Sequence, residues 1–255
     1  MPSPVGTGGA GFGAGVTIAG YGIVAAAIVL ASCMQASIGF GMGMLAAPIV
    51  AIVDPGLIPG TLIMLATMVT LMVVIRERED IDLAGTGWAL AGRVPGTVAG
   101  ALLLVVMPKE MLAYALAAVV LGGVALTSMG WIPAPRRRNL VLAGATSGLL
   151  GTATSIGGPP MALVWQNNTG ARLRGTMSGF FLVGSALSLV LLALTGSVDH
   201  HTVVVFAMLV PACVVGYALS RWVNRHVDRQ RQRWAAIAIS TIGAVVLIVR
   251  QLMGG

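Results

Sequence analysis

Two short clusters of glycine and polar residues interrupt long apolar runs in this sequence. The first is Gln-Ala-Ser-Ile-Gly-Phe-Gly-Met-Gly at 35–43, and the second runs from Thr152 through Gly158 into Pro159-Pro160. Glycine packs no side chain and a Pro-Pro pair cannot continue a helix, so each cluster should break its helix and expose backbone N–H groups. The positive end of a helix that begins after such a break attracts anions. These residue types therefore favour anion binding at both breaks.

The candidate binding residues are the polar side chains and glycines of the two breaks. Glycine lets a ligand approach the backbone closely, while hydroxyl and amide groups supply hydrogen bonds. The alternative, that glycines only permit close helix packing, applies to most of the 35 glycines in the chain. The candidates are Gln35, Ser37, Gly39, Gly41 and Gly43 at the first break, and Thr152, Thr154, Ser155, Gly157 and Gly158 at the second.

Arg93 completes the candidate site. It is the charged residue near the middle of a predicted span, and no Asp, Glu or His accompanies it there. An unpaired cation costs at least ~2.5 kcal/mol within a bilayer even on the lenient insertion scale, so its side chain should face a cavity, backbone carbonyls or an anion. We favour a role in binding or attracting an anion. The alternative is an arginine that anchors helix ends through their carbonyls.

The elements that must position these residues are membrane-spanning helices. The 255 residues are 57% hydrophobic and only 9% charged, whereas soluble domains carry roughly a quarter charged residues. Apolar stretches of about twenty residues, each long enough to cross a hydrocarbon core of ~30 Å, recur along the whole chain. The predicted fold class is therefore an all-α, polytopic protein of the lipid bilayer.

The order of these stretches predicts two repeats, each a broken, re-entrant helical hairpin followed by three transmembrane helices. Ser37-Ile38-Gly39 recurs 118 positions later as Ser155-Ile156-Gly157, and Gly60-Thr61 recurs 115 positions later as Gly175-Thr176. The predicted segments are a flexible tail at 1–15; a first repeat at 16–130 with hairpin 16–53 and spans 57–75, 83–107 and 111–129; a linker at 131–139; and a second repeat at 140–255 with hairpin 140–165 and spans 176–194, 202–220 and 234–252.

The arginines set the predicted orientation. Twelve basic residues fall on one side of the predicted spans and only Lys109 and Arg250 on the other. Cytoplasmic loops are enriched in Lys and Arg, so the linker should be cytoplasmic and both termini should lie outside a cytoplasmic (inner) membrane. Five segments per half invert the second repeat, and the hairpin tips should meet near the membrane midplane. The net charge of +7 reflects this topology rather than nucleic-acid binding.

The sequence offers no catalytic constellation. Its carboxylates all lie in loops or at span ends, and Cys33 and Cys213 form no metal-ligand pattern. An enzyme would need a nucleophile, a metal cluster or an acid/base pair within the spans. We therefore expect no enzyme activity, no metal and no cofactor. The lack of intramembrane carboxylates also argues against a cation carrier.

Two motifs carry a family resemblance: Ser37-Ile38-Gly39-Phe40-Gly41-Met42-Gly43 followed by Pro48, and Gly151 through Ser155-Ile156-Gly157-Gly158-Pro159. With the duplicated layout of the chain, these motifs resemble the TauE/SafE family of sulfite and organosulfonate exporters. The resemblance implies secondary transport of a small anion, such as sulfite, an organosulfonate or a short carboxylate. The direction of transport, the coupling ion, either a proton or a cation, and a homo-oligomeric state stay open.

Three classes of function compete at this point. A secondary active transporter that works by alternating access, with the anion held between the hairpin tips, accounts for the paired breaks, for Arg93 and for the missing acids. An anion channel would share the site but needs a continuous polar pore. A membrane-embedded enzyme or an assembly factor is the third class. The sequence favours the transporter.

Overall fold

A computed structural model describes residues 18–108, 111, 114–115, 117–119, 121–122, 125, 133–168, 170–226, 238, 245 and 249. Of those residues 87% are helical, and no strand occurs among them. Five of the described helices are long and apolar enough to cross a membrane. These features confirm the predicted fold class, an all-α polytopic membrane protein.

The continuously described stretches of the chain contain eight α-helices and two short 3-10 turns. The helices named α2 and α6 have 12 and 7 residues, which at 1.5 Å per residue gives about 18 Å and about 10 Å, well short of a ~30 Å hydrocarbon core. The bounds are α1 Ile18–Ile38, α2 Met42–Val53, a turn Pro55–Leu57, α3 Gly60–Glu77, a turn Arg78–Asp80, α4 Leu83–Val106, α5 Arg137–Thr154, α6 Gly158–Val164, α7 Gly170–Leu194 and α8 His200–His226.

Several boundaries differ from the predicted segments. Helix α7 begins at Gly170 and not at 176, and α5 begins at Arg137 within the predicted linker. Apolar runs under-predict helix length here because arginine is a good helix former and extends a helix beyond its apolar part. The predicted tail at 1–15 lies outside the described residues. The spans 111–129 and 234–252 are described at isolated positions only.

Both predicted breaks exist, and the first is narrower than expected. Helix α1 continues through Ile38, and only the three residues from Gly39 to Gly41 separate it from α2. Gly39 and Gly41 have φ angles of 90° and 121°, values that side-chain-bearing residues rarely adopt. At the second break Ser155 takes the left-handed conformation with φ 63° and donates its N–H to Gly151 O. These backbone conformations thus end α1 and α5, the longer helix of each hairpin.

Each hairpin packs against a helix from the other half of the chain. One apolar core joins α1, α2 and α3 with residues of α8, and the second joins α5, α6 and α7 with α4. Helix α4 approaches α5 closely through glycine: a Cβ on Gly92 or Gly96 would overlap the carbonyl of Val141 or Ala145. Small residues permit such close helix packing in membranes. The two sequence halves are therefore interlocked rather than side by side.

Helices α3 and α7 run antiparallel along the seam between the halves. Thr67 Oγ1 donates to Ser185 Oγ at 2.8 Å, and ten residues further along α3 the Glu77 carboxylate accepts from Arg174 at 2.9 Å. Arg76 pairs with the same carboxylate at 2.9 Å. This ion cluster closes one end of the seam and links α3 to the first turns of α7.

The halves make matching contacts at the starts of their later helices. Thr61 Oγ1 donates to Thr202 O at 3.4 Å, and Thr176 Oγ1, at the position that the predicted repeat matches to Thr61, accepts from Asp82 N at 3.0 Å. Asp82 caps α4 and Asp199 caps α8, each by accepting a backbone N–H three residues on. An aspartate in this position satisfies an otherwise unpaired donor of the helix start. Thr61 and Thr176 thus each link a helix start to the other half of the chain, while Asp82 and Asp199 each cap a helix of their own half.

Candidate functional site

The two hairpin tips, which are the breaks at 39–41 and 155–157 with the first residues of the helices that follow them, are in direct contact. A Cβ on Gly43 would overlap the backbone carbonyl of Ser155, and a Cβ on Gly158 would come within 2.5 Å of the Phe40 ring. Ser155 Oγ also donates to Pro59 O at 3.1 Å, which fastens the second tip to the start of α3. Glycine at both positions is what allows the tips to approach this closely.

A small cavity of about 40 Å³ lies at this contact. A water molecule needs roughly 10–15 Å³ on the same measure, so the cavity has room for about three waters or one small ion. Seven of the eleven predicted site residues border it: Gln35, Gly41, Gly43, Arg93, Ser155, Gly157 and Gly158. Its other lining residues are Phe40, Met42, Met44, Ile63, Ala66, Gly151, Ile156, Phe181, Ser185 and Ser188.

Arg93 is the charged group of the cavity. Its side chain is 3% exposed, and Nη1 donates to Ser147 Oγ at 3.0 Å. Its Nε–H has no hydrogen-bond partner among the residues that the structure describes, and Nη2 lies beside Gly151 of the cavity wall. A guanidinium carries five N–H donors, and Ser147 is the acceptor that the described residues provide. No ion pair to Arg93 occurs within the described part of the chain.

Two aromatic rings and a glycine of α7 fix the Arg93 side chain. The guanidinium carbon lies 4.8 Å from the centroid of Phe180 and 5.3 Å from that of Phe181. On the same helix a Cβ on Gly184 would overlap Nε of Arg93. The ring faces attract the cation, but they supply no acceptor for its remaining N–H groups. Arg93 therefore keeps unused donors in a buried position.

The first tip supplies backbone donors. Gln35 Oε1 accepts from Met42 N at 3.0 Å, and its Nε2 donates to Ala66 O at 3.1 Å, so this side chain caps α2 and fastens it to α3. The next two N–H groups of α2, those of Gly43 and Met44, belong to a first helical turn that has no intrahelical acceptors for them. Both residues line the cavity. The start of α2 can therefore donate to a bound anion.

The second tip contributes fewer donors than predicted. Pro159 and Pro160 occupy the first turn of α6 and have no N–H groups. Thr154 Oγ1 donates to Leu150 O at 2.7 Å and accepts weakly from Ile156 N at 3.3 Å. Backbone carbonyls and the hydroxyl of Ser155 thus dominate this tip. The arrangement is asymmetric, with donors from α2 and Arg93 facing acceptors from the second tip.

Four predicted site residues do not line the cavity. Ser37 is buried in α1, and its Oγ has no hydrogen-bond partner among the described residues. A Cβ on Gly39 would lie 2.7 Å from Met177 Cβ, so Gly39 serves close packing. Thr152 shares a 2.8 Å hydrogen bond with Ser188, a cavity residue. Thr154 bonds only to its own segment. The structure thus brings together the glycines and Arg93 but leaves these four side chains outside the cavity wall.

Sequence reasoning missed the contribution of α7 and of Ser147. Ser185 and Ser188 line the cavity, and Gly184 gives Arg93 its space. These residues lie in an apolar span with no break, where serine and glycine are common, so no local pattern distinguishes them. A stripe of small residues at 184, 185 and 188, on one face of a helix, is the signal that could have indicated a polar or close contact.

No group of three or more His, Cys, Asp or Glu residues that could hold a metal ion occurs in the described part of the chain. The polar groups at the cavity are a guanidinium, hydroxyls, an amide and backbone groups. This donor-rich set is suited to holding a small anion by hydrogen bonds and charge. It contains no adjacent nucleophile and base.

Comparison with known proteins gives one match. No curated protein and no solved structure matches the chain. The protein-family model described as sulfite exporter TauE/SafE matches residues 23–247. The members of this family are membrane transporters. Because the match covers nearly the whole sequence and agrees with a bundle of apolar helices around two hairpin breaks, the chain belongs to the TauE/SafE sulfite exporter family.

Proposed function

We propose that this protein is a secondary active transporter of a small anion, namely sulfite, an organosulfonate or a short carboxylate. The anion binds between the two hairpin tips, against Arg93 and the start of α2. Access to this site alternates between the two sides of the membrane, and an ion gradient, of protons or of a cation, supplies the driving force. The family and the geometry of the cavity both support this proposal.

The observation that carries the proposal is the buried guanidinium of Arg93, which has no carboxylate partner and only one hydrogen-bond acceptor among the described residues. Burying a charge without a partner is strongly unfavourable in a membrane, yet the described residues give Arg93 one hydroxyl acceptor and two ring faces. An anion in the adjacent cavity would neutralise the charge and accept from the free donors. The N–H groups of Gly43 and Met44 would then contact the same anion from the opposite tip.

The size of the cavity favours the smallest substrates of this class in the present conformation. A sulfite ion, with one sulfur and three oxygens, is comparable in size to the few water molecules that about 40 Å³ accommodates. A larger organosulfonate would need the tips to separate. Phe40, Met42 and Phe181 form the apolar part of the lining and would contact the organic group of such a substrate.

Alternating access is supported by the arrangement of the two halves. Helices α3 and α7, which are counterparts in the two sequence repeats, run antiparallel. This is the relation expected if the second repeat is inverted. We propose the inverted-repeat organisation with 16–130 and 140–255 as its units, both termini outside the cytoplasmic membrane, and rocking of the halves about the α3–α7 seam.

The purified protein should be stabilised by its anion. A ligand that binds only the folded state raises stability by RT ln(1 + [L]/Kd), about 2.7 kcal/mol at a hundredfold excess over Kd. We expect sulfite, sulfoacetate or acetate to raise the thermal midpoint in detergent, with chloride at equal ionic strength as the control. If none of them exceeds the chloride control, the proposed substrate class is wrong.

The Gly184→Ala protein should lose anion transport while remaining folded. The added methyl group overlaps Nε of Arg93, so the guanidinium must leave its position between Phe180 and Phe181. We expect transport of the stabilising anion into proteoliposomes to fall about tenfold or more, since loss of one charged hydrogen bond, worth ~1.5–3 kcal/mol, gives that factor.

Gly179→Ala on the same helix is the matched control. A Cβ at this position meets Ile81 at an ordinary 3.4 Å, so the substitution adds the same methyl group without touching Arg93. We expect this variant to transport at the wild-type rate. Equal transport rates in the Gly184→Ala and Gly179→Ala variants would show that anion transport does not depend on the position of Arg93.

A further inference from the structure

A polar side chain from the first helix of each hairpin, α1 or α5, holds the tip of that hairpin by a hydrogen bond to its backbone. At the first tip Gln35 joins the start of α2 to the Ala66 carbonyl of α3. At the second tip the corresponding contact is made by Ser147, which lies ten residues before Gly157 on α5. Gln35 reaches only backbone groups. Ser147, by contrast, reaches the charged group of the cavity.

Ser147 forms a two-bond chain between Arg93 and the second tip. Its hydroxyl accepts from Arg93 Nη1 at 3.0 Å and donates to Gly157 O at 2.6 Å. The side chain is fully buried, and a Cβ on Gly157 would lie 2.8 Å from Ser147 O and 3.0 Å from its Oγ. The second tip therefore packs directly against Ser147. No other hydroxyl of the described residues bonds to Arg93.

We propose that Ser147 is a positioning residue. It orients the Arg93 guanidinium toward the anion and couples this orientation to the position of the second tip. The inference rests on the proposed function, because it assigns Ser147 a part in the same anion site. Ser147 does not line the cavity and does not touch the anion. It acts by fixing Nη1, which leaves Nη2, beside Gly151 of the cavity wall, to donate to the anion.

The two hydrogen bonds made by Ser147 explain why a hydroxyl is needed at this position. A serine hydroxyl can accept from a cation and donate to a carbonyl at the same time, and consecutive hydrogen bonds of this kind polarise and strengthen one another. When the second tip moves away from α5, the bond to Gly157 breaks and the constraint on Arg93 weakens. Ser147 thus makes the affinity for the anion depend on the conformation of the tip.

The test compares Ser147→Ala with Thr146→Ala in proteoliposomes, with sulfite as the probe. Thr146 is the neighbouring hydroxyl on α5, but it is exposed and bonds to Leu142 O of its own helix. We expect Ser147→Ala to raise the KM for sulfite about tenfold or more with kcat changed less than twofold. Thr146→Ala should keep the wild-type KM.

A purely structural role for Ser147 would give a different result. It would lower the thermal midpoint and the amount of active protein but leave the KM for sulfite unchanged, and that outcome would overturn the inference. If Ser147→Ala does not fold, Ser147→Cys keeps a weak donor and acceptor in a slightly larger side chain and should raise the KM by a smaller factor. An unchanged KM in the Cys variant would likewise overturn it.

The wild-type protein separates this inference from the proposed function. If wild type neither transports nor is stabilised by sulfite, sulfoacetate or acetate, the proposed function fails and the role of Ser147 fails with it. If wild type responds and Arg93→Met does not, but Ser147→Ala behaves as wild type, only the inference about Ser147 is wrong.

Discussion

The Arg93→Met protein should fold and insert normally but show no measurable stabilisation by anions and at least a hundredfold loss of transport. Arg93 brings the positive charge and several unused N–H donors to the cavity. Charged hydrogen bonds contribute ~1.5–3 kcal/mol each, so losing two of them corresponds to a factor of at least about a hundred. Methionine keeps most of the side-chain volume against Phe180 and Phe181.

The fold should survive this substitution for a specific reason. Replacing a buried, incompletely paired charge with an apolar residue of similar volume is often neutral or stabilising. Ser147 retains its bond to Gly157 O when Nη1 is gone. We therefore expect the thermal midpoint of the ligand-free Arg93→Met protein to equal or exceed that of wild type, which separates a binding defect from misfolding.

Arg93→Lys is the informative companion variant. Lysine preserves the charge but concentrates it on one ammonium group, which cannot hold Ser147 and present two further donors in a planar fork. We expect transport between that of wild type and that of Arg93→Met. Wild-type transport and anion stabilisation in Arg93→Met would contradict the assignment of Arg93 to the anion site.

The second large effect is expected for Gly43→Ala. The added methyl group overlaps the backbone carbonyl of Ser155, and neither backbone can yield as a side-chain end could. The tips must separate, which displaces the N–H groups of Gly43 and Met44 from the cavity. We expect transport to fall more than tenfold and the thermal midpoint to drop, since overpacking of this kind costs typically 1–3 kcal/mol.

Gly22→Ala in the same hairpin is the control for Gly43→Ala. A Cβ at Gly22 has no atom within 4 Å, and alanine is favoured over glycine inside a helix. This variant should keep wild-type transport and stability. Should Gly43→Ala transport as well as Gly22→Ala, close contact between the tips would be unnecessary for function, and the site would have to lie elsewhere.

The helical character of the protein and the place of its two breaks follow from local sequence. Apolar runs that are long enough to span a bilayer form α-helices there, because a helix satisfies its own backbone hydrogen bonds. Glycines at 39 and 41 and prolines at 159 and 160 restrict the backbone wherever they occur. Span ends were predicted less well. Arg172 and Arg174 belong to α7, and Arg174 pairs with Glu77, a partner almost a hundred residues away that no local pattern indicates.

Part of the candidate site was also predictable. Arg93 stands out because a charge in an apolar span needs an explanation, whatever the fold. The glycines at 41, 43, 157 and 158 were assigned from the breaks, and they line the cavity. Ser37 and Thr154 were assigned to the site by the same local rule, but they do not line the cavity. Neighbourhood in sequence does not decide which face of a helix a side chain occupies once the helix is packed.

The sequence by itself determined a membrane protein of apolar helices, two hairpin breaks and one buried cation, since hydrophobicity and backbone restrictions act residue by residue. Only the tertiary structure decided what surrounds that cation. Gly184 makes room for Arg93, and Ser147 orients it. Both are ordinary small residues whose roles arise because α7 and α5 pack against α4. Such contacts depend on three-dimensional packing between distant segments, which no local pattern of residues specifies.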